Sequence, residues 1–101
     1  EKIYQSGLIE HLISLKNVKT AIIFGSMVRG DWYKDSDIDL FIYGNPKEME
    51  KNKYEAKLKR GIELHIFKDK KDIKNVKTGL INNVINGYLI KGEMEELVNQ
   101  F

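Results

Sequence analysis

Val18-Lys19-Thr20-Ala21-Ile22-Ile23-Phe24 runs into Gly25-Ser26, and after ten intervening residues comes Asp37-Ile38-Asp39-Leu40. Ala21 to Phe24 is apolar at every position, the mark of a strand covered on both faces of a sheet. Gly25-Ser26 breaks the strand, and Ser26 to Arg29 has room for a short helix ending at Gly30. Asp37 to Tyr43 then alternates. Ile38, Leu40 and Ile42 share one face, and Asp37, Asp39, Phe41 and Tyr43 share the other, which predicts a second strand with one face in the core.

The flanks fill in the rest. Leu8, Ile9, Leu12 and Ile13 have helical spacing within residues 3–16, and Asn17 is a natural stop. Gly44-Asn45-Pro46 is a turn, with Pro46 suited to a first helical position. Residues 46–59 are densely charged, with sparse apolar points at Met49, Tyr54, Ala56 and Leu58, which predicts a largely solvated helix ended by Gly61. Ile62, Leu64 and Ile66 alternate with Glu63 and His65 as a third strand. Lys68 to Lys74 reads as a charged turn, Val76 to Ile85 as a helix, Tyr88 to Ile90 as a short extended piece and Glu93 to Phe101 as a closing helix. Strands alternating with helices predict an α/β domain, a small mixed sheet flanked by helices.

At 101 residues the chain has room for one domain, residues 1–101, and none for a separate substrate-binding domain. Hydrophobic residues at 42% and charged residues at 32% are ordinary for a folded chain. A net charge of +2 is too mild to argue for nucleic acid or a membrane surface. No apolar run approaches the ~18 residues of a membrane helix. There is no cysteine, which excludes disulfides, thiolate catalysis and cysteine zinc sites and fits a cytoplasmic protein. The start at Glu1 rather than Met is what a trimmed chain, or a piece cut from a longer protein, would show.

Chemistry gathers around the two aspartates. Residues two apart on a strand point the same way, with Cα atoms ~6.5–7 Å apart, so Asp37 and Asp39 put two negative charges into one small region. Charges that close repel unless a cation joins them, and a pair of hard oxygen ligands suits Mg²⁺. Glu63 reaches the same pocket if the third strand neighbours the second. Three carboxylates around one pocket can hold two metals ~3.5–4 Å apart, the arrangement used for phosphoryl and nucleotidyl transfer. Gly25 lets a ligand approach the backbone, the helix opening at Ser26 offers free N–H groups to an anion, and the Arg29 guanidinium suits phosphate oxygens. Gly25, Ser26 and Arg29 together make a triphosphate cradle facing the acids.

Rival readings are weaker. Asp35-x-Asp37-x-Asp39 begins like an EF-hand loop, but Leu40 and Pro46 occupy the places that need glycine and glutamate. Gly25 to Gly30 lacks the Gly-Lys-Ser/Thr of a Walker loop. Arg29 serves equally as a surface ion-pair partner of Asp31 or Asp35. His65, a lone histidine, reads more readily as structural than as base or ligand, and His11 as a surface residue. Trp32 and Tyr33 suit either stacking on a base or covering the core edge. Lys47, Lys51, Lys53, Lys57 and Lys59 alternate with glutamates as a solvated helix face does, so a nucleic-acid partner is disfavoured.

Gly25-Ser26-Met27-Val28-Arg29-Gly30 followed by Ser36-Asp37-Ile38-Asp39-Leu40 resembles the signature of the DNA polymerase β-like nucleotidyltransferases, and the chain's size resembles their minimal (MNT) family. The motif covers residues 24–43, and Asn86-Gly87-Tyr88-Leu89-Ile90-Lys91-Gly92 extends the likeness less specifically. The resemblance implies metal ions held by Asp37 and Asp39, with Glu63 as third acid where aspartate is commoner. It implies phosphate binding at Gly25 and Ser26. It also implies attack of a hydroxyl on the α-phosphate of ATP with loss of pyrophosphate, and a protein acceptor such as a HEPN-type toxin whose tyrosine is adenylylated. The expectation is an active Mg²⁺-dependent enzyme using ATP that works beside another protein. The alternatives are a nucleotide-binding or antitoxin module acting by contact, alone or within a longer regulator, and transfer to a small molecule. The sequence leaves the oligomeric state open, a homo-oligomer included.

Overall fold

A computed structural model describes residues 5–25 and 37–101. Its elements in chain order are α1 (Leu8–Ser14), β1 (Val18–Phe24), β2 (Ile38–Gly44), α2 (Lys51–Leu58), β3 (Ile62–Phe67), α3 (Lys70–Lys74), α4 (Thr78–Ile85), β4 (Tyr88–Lys91) and α5 (Met94–Val98). The strands form one four-stranded sheet in the order β3-β2-β1-β4. β1 runs antiparallel to both β2 and β4, while β2 and β3 run parallel, so the sheet is mixed. The expected α/β architecture is therefore the observed one.

Helices cover both faces. On one, Leu8, Leu12, Leu15, Val18, Ala21, Ile23, Ile38, Leu40, Ile42, Tyr54 and Leu58 form a buried core beneath α1 and α2. On the other, Ile22, Phe24, Phe41 and Tyr43 pack with Ile73 of α3, Val84 of α4 and Leu97 of α5. Val18 belongs to the same core as Ala21 and Ile23 although simple alternation would part them. The register slips between Val18 and Thr20, and a bulge reverses the alternation there.

The second core corrects the reading of β2 as covered on one face. Phe41 is fully buried, and its ring stacks on Phe67 at 5.0 Å between centroids. A strand whose outward positions are aromatic beyond the first residues needs a second layer to shield them, and α3, α4 and α5 supply it.

Local differences have local causes. Lys68 to Lys74 is not all turn. Asp69 caps α3 by accepting the Asp72 N–H at 2.9 Å, and Ile73 anchors the helix in the core. Pro46 does not open α2 but sits in the preceding turn, where the Met49 N–H donates to its carbonyl at 2.9 Å. α2 does present the expected solvated face: Lys51, Lys53 and Lys57 are exposed while Tyr54 and Leu58 are buried. His11 is less exposed than expected, with its ring 5.2 Å from that of Tyr54. Residues 26–36 lie outside the described residues, so the expected short helix at Ser26 to Arg29, and Trp32 and Tyr33, fall there too. No helix among the described residues is long and apolar enough to cross a membrane.

Candidate active site

Pairing places the site. In the antiparallel ladder Phe24 faces Asp39, and in the parallel ladder Asp39 faces Glu63. Side chains directly across a ladder share a face. Phe24, Asp39 and Glu63 therefore meet on the α3–α5 side of the sheet, at the end where β1 runs out into Gly25.

Two observations define the site. The first is a cluster: Asp39, Glu63 and His65 each offer one donor atom, and the three atoms lie within 4.8 Å of one another. Glu63 is exposed, and Asp39 and His65 are half-buried, so the cluster opens to solvent. The second is a close approach. Gly25 has φ +87°, and a Cβ built on it would stand 2.3 Å from Asp39 Oδ2. Only glycine leaves that space free, so the carboxylate lies directly against the backbone where the turn begins.

His65 is held from two sides. Its Nε2 is 3.4 Å from Asp39 Oδ1, and its ring lies 5.0 Å from that of Phe24. The sequence marks it only as a histidine two residues from Glu63 on the same strand face. The contact with Asp39 depends on the β2–β3 pairing, which no local pattern displays.

Asp37 stands apart from this set. It is exposed, one residue ahead of β2, and a Cβ on Gly61 would lie 2.6 Å from its Oδ1. The Ile38 N–H donates to the Gly61 carbonyl at 2.8 Å and extends the ladder to this point. Asp37 is thus two residues from Asp39 along the chain, but its carboxylate rests against Gly61 at the start of β3 and lines a separate cavity with Glu55, Ala56, Lys59 and Arg60. Of the residues expected to bind phosphate, Gly25 lies against Asp39, and Ser26 and Arg29 lie outside the described residues. Two carboxylates and an imidazole converging at a solvent-open sheet end are a donor set that fits a divalent cation.

Comparison with known proteins supplies the family. The family model for polymerase beta nucleotidyltransferases matches residues 7–96. The chain belongs to that family. A search of curated proteins finds no match. Among solved structures, the chain is similar to a toxin–antitoxin complex with AMP-PNP, with a TM-score of 0.63 and 19% identity over 98% of this chain and 77% of the other. It is likewise similar to a mutant of the toxin–antitoxin MntA–HpeT, with a TM-score of 0.62 and 13% identity over 99% of this chain and 80% of the other. At such identities the likeness is one of fold. The family assignment drawn from Gly25-Ser26 and Asp37-Ile38-Asp39 therefore holds, and the chain is a nucleotidyltransferase domain.

Proposed function

We propose that residues 1–101 act as one Mg²⁺-dependent nucleotidyltransferase domain that transfers AMP from ATP to a hydroxyl on a protein acceptor. The supporting observation is the meeting of Asp39 and Glu63 across the β2–β3 ladder, with Gly25 beneath them. The acceptor class is supported by the two similar folds, both taken from toxin–antitoxin complexes. A HEPN-type toxin, acting with this chain in the cytoplasm, is the acceptor that the sequence resemblance favours.

In this reading Asp37, Asp39 and Glu63 hold the ions, with Asp37 swinging away from Gly61 to join them. Bound there, a divalent ion supplies Lewis-acid stabilisation of the phosphoryl oxygens. The other roles belong to the chain itself. Gly25 and Ser26 hold the triphosphate, Ser26 through its hydroxyl. Arg29 neutralises phosphate charge. Glu63 accepts the proton of the acceptor hydroxyl. The hydroxyl oxygen forms a bond to the α-phosphorus as the bond to the bridging oxygen breaks, and that electron pair leaves on pyrophosphate.

The test is direct. The chain is incubated with α-labelled ATP, Mg²⁺ and the protein encoded beside it, and the acceptor is analysed by intact mass. One AMP on the acceptor, absent when the Asp37→Asn or Asp39→Asn variant is used, supports the reading. An unmodified acceptor, or equal yields with the variants, overturns it.

A further inference from the structure

Resting on the metal-dependent reading above, we propose that His65 is itself a ligand of the divalent ion, which makes this a mixed nitrogen–oxygen site that favours Mn²⁺ over Mg²⁺. The set whose donor atoms already converge is Asp39, Glu63 and His65, not the three carboxylates alone.

The distances favour a ligand over a hydrogen-bonded neighbour. His65 Nε2 and Asp39 Oδ1 are 3.4 Å apart. A good N–H···O bond is shorter, ~2.9–3.0 Å. Two donors at ~2.1 Å from one octahedral ion stand about 3.0 Å apart when adjacent and about 4.2 Å apart when opposite. The observed 3.4 Å lies between these, and all three donor atoms fall within 4.8 Å. One ion therefore fits among them once the wider separations close to the octahedral range, a matter of side-chain rotation.

The surroundings hold the imidazole in place. Its ring packs against Phe24, whose own position is fixed by the ladder to Asp39. His65 and Asp39 side chains are 26% and 23% exposed, so water and an incoming ion reach both. Imidazole is a borderline donor that Mg²⁺, a hard ion with a reluctant hydration shell, accepts poorly. Mn²⁺ accepts both carboxylate and imidazole. The nitrogen thus tilts the site toward Mn²⁺ without excluding Mg²⁺ from the oxygens.

The experiment reads the nitrogen itself. Mn²⁺ is added to the untagged full chain, and electron spin-echo envelope modulation is recorded for the wild type and for the His65→Gln variant. The chain holds 2 histidines, so the variant assigns the signal, with His11 as the internal control. Expected are ¹⁴N modulation of imidazole type in the wild type, its loss in H65Q, and Mn²⁺ affinity lowered at least about tenfold in H65Q with a smaller change for Mg²⁺. Circular dichroism of H65Q checks that the sheet is kept. Bound Mn²⁺ without imidazole ¹⁴N modulation in the wild type overturns the proposal, whatever the variant does, and leaves the metal-dependent reading standing. Modulation that persists in folded H65Q overturns it as well. If no Mn²⁺ or Mg²⁺ binds, both readings fall together.

Discussion

The Asp39 carboxylate lies against the backbone of Gly25, so that a β-carbon on the glycine would meet Oδ2 at 2.3 Å. The last residue of β1 and the second residue of β2 are ladder partners, which brings the turn and the acid together. The glycine of the motif therefore shapes the acid site directly, in addition to any contact with phosphate.

Gly25→Ala tests this coupling. The new methyl must displace the carboxylate, and φ +87° disfavours any L side chain. The fold loses about 1–2 kcal/mol by urea denaturation. Divalent-metal affinity, read by Mn²⁺ titration, falls by at least about tenfold. Unchanged affinity would mean that Asp39 relaxes around the methyl at no cost to the site.

Asp39→Asn keeps shape and removes charge. Asp39 is a half-exposed residue beside another acid, so metal-free stability changes by no more than about 0.5 kcal/mol. The thermal shift produced by divalent ion plus ATP disappears, because a ligand stabilises only the state that binds it. Transfer falls by about two to three orders of magnitude or more, the scale of losing a metal's charge stabilisation. A normal thermal shift in D39N would remove Asp39 from the ligand set.

The contrast between Asp39 and Asp37 shows how far local pattern reaches. β1 and β2 are legible because their apolar runs are long and dense, and Asp39 and Glu63 are each legible as acids on strands, whereas their meeting waits on the pairing of β2 with β3. The burial of Phe41 and Tyr43 is not, since the covering layer is built from short helices. α3 holds one buried residue, Ile73, and is too short to display a period. His65 meets Asp39 across 26 residues of sequence, a contact that exists only once β2 and β3 are paired. The resting place of Asp37 against Gly61 is a side-chain rotation, which spacing cannot encode.

Gly61→Ala follows from that rotation. A Cβ at Gly61 would lie 2.6 Å from Asp37 Oδ1, but the obstructing atom is the end of an exposed, rotatable side chain. Stability changes by less than about 1 kcal/mol. The methyl takes the carboxylate's resting place, so Asp37 spends more time turned toward Asp39 and Glu63. Divalent-metal affinity by calorimetry is then equal to or tighter than wild type, whereas Asp37→Asn weakens it. A Gly61→Ala variant that binds metal more weakly would show that the carboxylate works from where it rests.

Gly44→Ala should separate the fold from the site. Gly44 ends β2 at the edge opposite the acids, with φ +132°, and its added Cβ would stand 2.2 Å from the Asn17 carbonyl oxygen and 2.9 Å from Val18 Cα. Both are backbone atoms, and the same carbonyl accepts the Asn45 N–H at 2.8 Å. No rotamer change relieves the clash, so the ends of β1 and β2 must part. The cost is about 2–4 kcal/mol, strain and overpacking combined. In the molecules that remain folded, Mn²⁺ affinity is unchanged, because the displaced backbone lies at the far end of the ladder from Asp39. Gly25→Ala and Gly44→Ala thus give opposite readouts from one substitution: weakened metal with modest destabilisation, against large destabilisation with metal intact. Equal metal losses in both would show that the acid cluster depends on the whole ladder and not on its contact with Gly25.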